Sequence, residues 1–99
     1  MQTVFFSRLG MPENLEEIGT ADFTIRWEVS YNEGEHAAID AHSYDELGEL
    51  LQQKVGSILK EKSADIARIT HSSVHHKTKY EPFVSEISGE YEAILYKLV

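Results

Sequence analysis

Polar and apolar residues alternate most clearly over residues 22–31, DFTIRWEVSY. Phe23, Ile25, Trp27, Val29 and Tyr31 fall on one side, and Asp22, Thr24, Arg26, Glu28 and Ser30 on the other. A period of two belongs to a strand with one buried face, so this stretch is predicted as β. Residues 32–35, NEGE, read as a turn in which Gly34 can take a positive φ. Alternation resumes in HAAIDAH, residues 36–42, with Ala37, Ile39 and Ala41 on one face. That pattern predicts a second strand whose small alanines oppose the aromatics of the first.

The period then changes. Leu47, Leu50, Leu51, Val55, Ile58 and Leu59 recur at the three-four spacing of one helical face, which predicts an amphipathic helix over residues 44–62. Ser43 and Glu46 have the spacing of a capping box at its start, and acids crowd the first turn while lysines crowd the last. Gly48 and Gly56 each cost roughly 1 kcal/mol relative to alanine, and they could admit close approach to a sheet.

Beyond the helix, residues 66–76 read as a strand and the closing EYEAILYKLV, residues 90–99, as another. Tyr91, Ala93 and Leu95 lie on one face of the latter, and Ile94, Tyr96 and Leu98 on the other. Apolar residues on both faces predict a central strand, or one whose outer face meets a second subunit. At the other end, TVFFSRL (residues 3–9) reads as a strand. PENLEEI (residues 12–18) reads as a single helical turn, opened by Pro12 and ended by Gly19. The predicted order is β, short α, β, β, α, β, β in one α+β domain over residues 1–99. Its simplest assembly is a mostly antiparallel sheet of about four to five strands with the long helix on one face. The connection from Lys77 to Gly89 is long for a hairpin and carries Tyr80, Pro82 and Phe83, which makes it a candidate contact loop or an extension of the hairpin.

Charge adds a direction. The 99 residues carry a formal net charge of −8, and it is unevenly placed. Residues 1–53 hold eleven acids against two bases, whereas residues 54–99 hold six acids against seven bases. An acidic half repels phosphate backbones, so direct nucleic-acid binding is disfavoured and a basic protein partner is favoured. Solubility alone also accounts for an acidic surface. No segment approaches the roughly 18 apolar residues of a membrane span. The N-terminus lacks the basic start and apolar run of a secretory signal. With no cysteine in the chain, disulfides, thiolate metal sites and cysteine nucleophiles are excluded. A cytoplasmic location is the expectation.

Histidine is the residue type that most invites a chemical reading. His71, His75 and His76 fall within HSSVHH, ahead of Lys77 and Lys79. On a strand His71 and His75 share a face and His76 takes the other, with the first two roughly 13 Å apart at about 3.3 Å per residue. Zinc ligands converge within about 2.1 Å of the ion, so this pair needs a bulge or outside help. His36, Asp40 and His42 offer partners on a neighbouring strand, but at similarly stretched intervals. His71, His75, His36 and His42 are therefore weak metal candidates, and no metal or other cofactor is predicted. Protonating the five histidines would raise the net charge from −8 toward −3, weakening an acidic binding surface. No nucleophile elbow, glycine-rich phosphate loop or HExxH motif is present, and neighbouring acids such as Asp45 and Glu46 read as solvated helix starts. No motif points to a known family.

The leading expectation is a non-enzymatic protein-binding domain, in the manner of a small acidic inhibitor or immunity-type protein. Glu33, Glu35, Asp40, Asp45, Glu49, Tyr80 and Phe83 are its candidate partner-binding residues. The alternatives are a structural homo-oligomer, most simply a homodimer, and a histidine-dependent metal-binding or hydrolytic protein.

Overall fold

A computed structural model describes the chain at residues 2–30, 36–80 and 83–99, and at 36–43 and Tyr80 it describes the backbone alone. The elements are β1 (Val4–Phe5), β2 (Leu15–Ser30), α1 (His36–Lys62), β3 (Ile66–Tyr80) and β4 (Phe83–Leu98). They form an α+β fold with a four-stranded sheet in the order β1-β3-β4-β2. β4 pairs antiparallel with both β2 and β3, and the short β1 adds to β3 in parallel, so the sheet is mixed. Three strands of 15 or 16 residues explain the elongated outline of 52 × 21 × 19 Å. At about 3.3 Å per residue each runs nearly the full length of the molecule.

β4 lies at the centre, and over residues 91–98 its sequence is apolar on both faces. On one face Ile87, Tyr91, Ala93 and Leu95 meet Phe23 and Ile25 of β2 and Ala67 and Ile69 of β3, and α1 covers them with Leu47, Leu51, Val55 and Leu59. These helix positions are four apart and all buried, and burial of each side chain contributes roughly 1.5–3 kcal/mol. On the opposite face Ile66 and Tyr96 gather Phe5, Met11, Leu15 and Ile94 into a second, smaller cluster. The C-terminal strand is thus internal, with neighbours along both edges.

Four expectations from the sequence give way. Residues 36–42 are not a strand but the opening of α1, which therefore starts at His36 rather than near residue 44. Alanine is the best helix former and a poor strand former, and a seven-residue alternation is too short to outweigh that. Ser43 and Glu46 consequently lie inside the helix, and the capping box does not exist. The turn at 32–35 lies outside the described residues. PENLEEI forms no helical turn: β2 begins at Leu15, pairs with Leu98, and absorbs Ile18 as a bulge between Glu17 and Gly19. TVFFSRL contributes strand only at Val4–Phe5. The connection after Lys77 is a continuation of the hairpin, with Tyr80 paired to Phe83 across a tip at 81–82 that lies outside the described residues. Among the described residues no helix is long and apolar enough to cross a membrane.

Candidate functional site

Away from the second cluster, the face of the sheet opposite α1 is polar. Residues paired across an antiparallel ladder share a face. Asp22, Glu92 and His71 therefore form one row, Thr24, Glu90 and Ser73 the next, then Arg26, Ser88 and His75, and then Glu28, Glu86 and Lys77. Exposure is the rule here: Asp22, Thr24, Arg26, Glu28, His71, His75, Lys77, Glu90 and Glu92 all reach solvent. A bulge sets this arrangement. The β3–β4 register shifts between Ile69 and His71, so Thr70 is the extra residue and its hydroxyl donates to the Glu92 carbonyl at 3.3 Å. Ile69 faces the helix, and after the bulge Ser72, Val74 and His76 take that side. His71 and His75 turn outward as a result.

The two halves of the polar face differ electrostatically. Toward the hairpin tip, the Arg26 guanidinium donates to Glu86 at 2.8 Å. That bond holds the Glu86 carboxyl below its ordinary range. The same bond with Glu86 raises Arg26 further. Lys77 and Lys79 flank this network on β3. Toward the middle of the sheet, Asp22, Glu90 and Glu92 border a shallow depression of about 360 Å³, together with Thr24 and His71. Among the described residues no cation lies within ion-pairing distance of those three carboxylates. Asp22 and Glu92 stand directly opposite one another on adjacent strands, an arrangement of like charges that a bound cation would relieve.

The histidines divide as strand geometry requires. His75 Nε2 is 3.1 Å from the hydroxyl of Ser73 on its own strand, while His71 lies in the acidic row. Among the described residues no three of His, Asp and Glu approach closely enough to hold a metal ion. His36, Asp40 and His42 belong to α1, so the neighbouring-strand site imagined for them does not form. His76 points to the helix side, where its Nε2 lies 3.0 Å from Ser85 Oγ and its ring meets the edge of Tyr44 at 5.6 Å. Ser85 is fully buried, so its hydroxyl is out of reach of a substrate arriving from solvent; the pair satisfies two polar groups inside the sheet.

Of the residues expected to bind a partner, those described lie on two elements, α1 and the β3–β4 hairpin. Asp45 and Glu49 are exposed one turn apart on α1, in the layer opposite the polar sheet face. Asp40 lies on the same helix, Glu33 and Glu35 lie outside the described residues, and Tyr80 and Phe83 close the hairpin, with Phe83 half-buried. Sequence reading missed Asp22, Glu90 and Glu92. Only strand order and register put them together. Comparison with protein families, with curated proteins and with solved structures finds no match to this chain.

Proposed function

We propose that the chain is a non-enzymatic protein-binding domain that receives a basic protein on the open face of its sheet. The observation that carries this reading is the exposed row of Asp22 and Glu92, extended by Glu90, around a depression with room for a cationic side chain. A lysine or arginine entering there meets carboxylates from two strands, and Thr24 adds a hydroxyl at the border. The net charge of −8 draws a basic partner toward the domain and speeds encounter. An acidic inhibitor that occupies a phosphate-binding surface on its target would use the same physics. Asp45 and Glu49 extend the acidic field from the other layer rather than forming part of the contact.

The test is a comparative pull-down from native lysate with the intact chain and with an Asp22→Lys/Glu90→Lys/Glu92→Lys variant as baits. A basic protein held by the unaltered chain, released by salt and lost with the variant supports the proposal. Equal capture by both baits, or capture that resists salt, sinks it.

A further inference from the structure

β2 is the outer strand of the sheet along its whole length, from Leu15 to Ser30. Half of its peptide groups point away from β4, no described strand pairs with them, and such an edge is a template for another strand. Natural edges are commonly protected by lysine or proline. β2 contains neither, and its bulge at Glu17/Gly19 leaves 19–30 in regular register with β4. We propose that this edge pairs antiparallel with the same edge of a second copy about a two-fold axis at Thr24, giving a dimer with one continuous sheet. This inference does not rest on the basic-partner reading: it concerns the open edge of β2 rather than the open face of the sheet, and the two share only Asp22 and Thr24.

Charge complementarity favours this axis over the one at the next residue. A two-fold centred on Thr24 sets Asp22 of each copy opposite Arg26 of the other, so an acid meets a base twice on the polar face. On the helix face it sets Phe23 opposite Ile25 and the small Ala21 opposite the large Trp27, again twice. A shift of the axis to Ile25 would instead place Asp22 opposite Glu28, like against like. Arg26 can serve both its own Glu86 and the second copy's Asp22, because a guanidinium offers five donors.

The helix flank is consistent with such a neighbour. A cleft of about 310 Å³ runs between α1 and this edge, lined by Thr24, Ile25 and Arg26 below and by Leu50, Lys54 and Ser57 above. Ala21, Trp27, Leu50 and Ile58 are only partly buried on this side of the core. Lys54 borders Thr24 in this cleft and in the next one along, so it marks the level of the axis on the helix. Leu50 and Ile58 lie one turn to either side of it, and the two-fold brings Leu50 of one copy toward Ile58 of the other. The Lys54 ammonium reaches water along its flexible stem.

The chain contains no cysteine, which makes the register directly readable. Sedimentation velocity of the full chain across micromolar to sub-millimolar concentration should show a monomer–dimer equilibrium. Thr24→Lys, at an exposed position, should weaken it at least about tenfold with unchanged circular dichroism. Under mild oxidation Thr24→Cys should cross-link to a dimer, because paired β-carbons at the axis lie about 5 Å apart. Asp22→Cys and Arg26→Cys should not, since each stands roughly 13 Å from its own copy. A monomer throughout, a dimer indifferent to Thr24→Lys, or cross-linking at 22 or 26 in preference to 24 would overturn the proposal.

Discussion

The ring of Tyr91 lies over Gly89, two residues earlier on the same face of β4. A β-carbon on Gly89 would stand 2.5 Å from Tyr91 Cε2 and 2.6 Å from its hydroxyl oxygen. Glycine is needed here for room, not for an unusual backbone angle. Tyr91 cannot simply swing aside, because it is 5% exposed and stacks on Phe23 with ring centroids 5.4 Å apart. Gly89→Ala is therefore expected to lower stability by about 1–3 kcal/mol, the range for overpacking a closed core. Urea denaturation followed by fluorescence measures it, and an unchanged midpoint would refute the packing argument.

Burial also governs the Tyr91 hydroxyl, whose pKa is raised above the ordinary phenol value because the phenolate would be cut off from water. A group whose folded pKa is raised contributes stability that is whole below its unfolded pKa. The contribution is lost as pH climbs through the folded value. Stability should thus decline above about pH 10, where an unfolded tyrosine ionises. Thermal melts in alkaline buffers should show a steeper decline for the unaltered chain than for Tyr91→Phe, which has no proton to lose. Parallel declines would remove Tyr91 as the cause.

At the end of α1, Ser63 has φ of 55°, in the left-handed region. Its N–H bonds the Lys60 carbonyl at 3.4 Å and the Ala64 N–H bonds the Leu59 carbonyl at 2.9 Å, which is the hydrogen-bond pattern of a Schellman cap. Glycine is the residue such a position favours, since an L side chain costs roughly 1–2 kcal/mol there. Ser63→Gly should raise stability by about 1 kcal/mol, after the added freedom of glycine in the unfolded chain is set against that relief. A lower melting temperature would contradict the cap geometry.

Inside the helix the opposite substitution is favourable. A β-carbon on Gly48 or Gly56 would meet nothing within 4 Å, so neither glycine serves a close approach to the sheet. Gly48→Ala and Gly56→Ala should each stabilise the fold by about 0.5–1 kcal/mol. The two gains should be close to additive in the double variant, since the sites are two turns apart on α1. Destabilisation by either would mean that the helix is more closely covered than its exposed surface indicates.

Much of this protein was legible in its residues alone. The period of two in 22–30 gives β2 its buried face, the leucines four apart give α1 its buried stripe, and apolar residues on both sides of 91–98 give β4 its central place. Each is a local statement about which faces must leave water, and hydropathy dictates it. Helix extent was less legible. HAAIDAH satisfies a period of two and a helix equally over so few residues, and alanine propensity decides.

The candidate surface was not local at all. Thr70 carries no mark of being the extra residue in β3. Yet its bulge sends His71 and His75 to the open face and His76 to Ser85 beneath the helix. A shift of one residue reverses every side chain beyond it, so the facing of that strand is fixed by its register against β4. Asp22 and Glu92 lie 70 positions apart in the chain and become neighbours only because β2 and β4 are adjacent in that register. The sequence determined which segments are apolar, where they fold locally, and that the first half is acidic. Strand order and two single-residue bulges, settled by the packing of all strands together, determined which charges face one another.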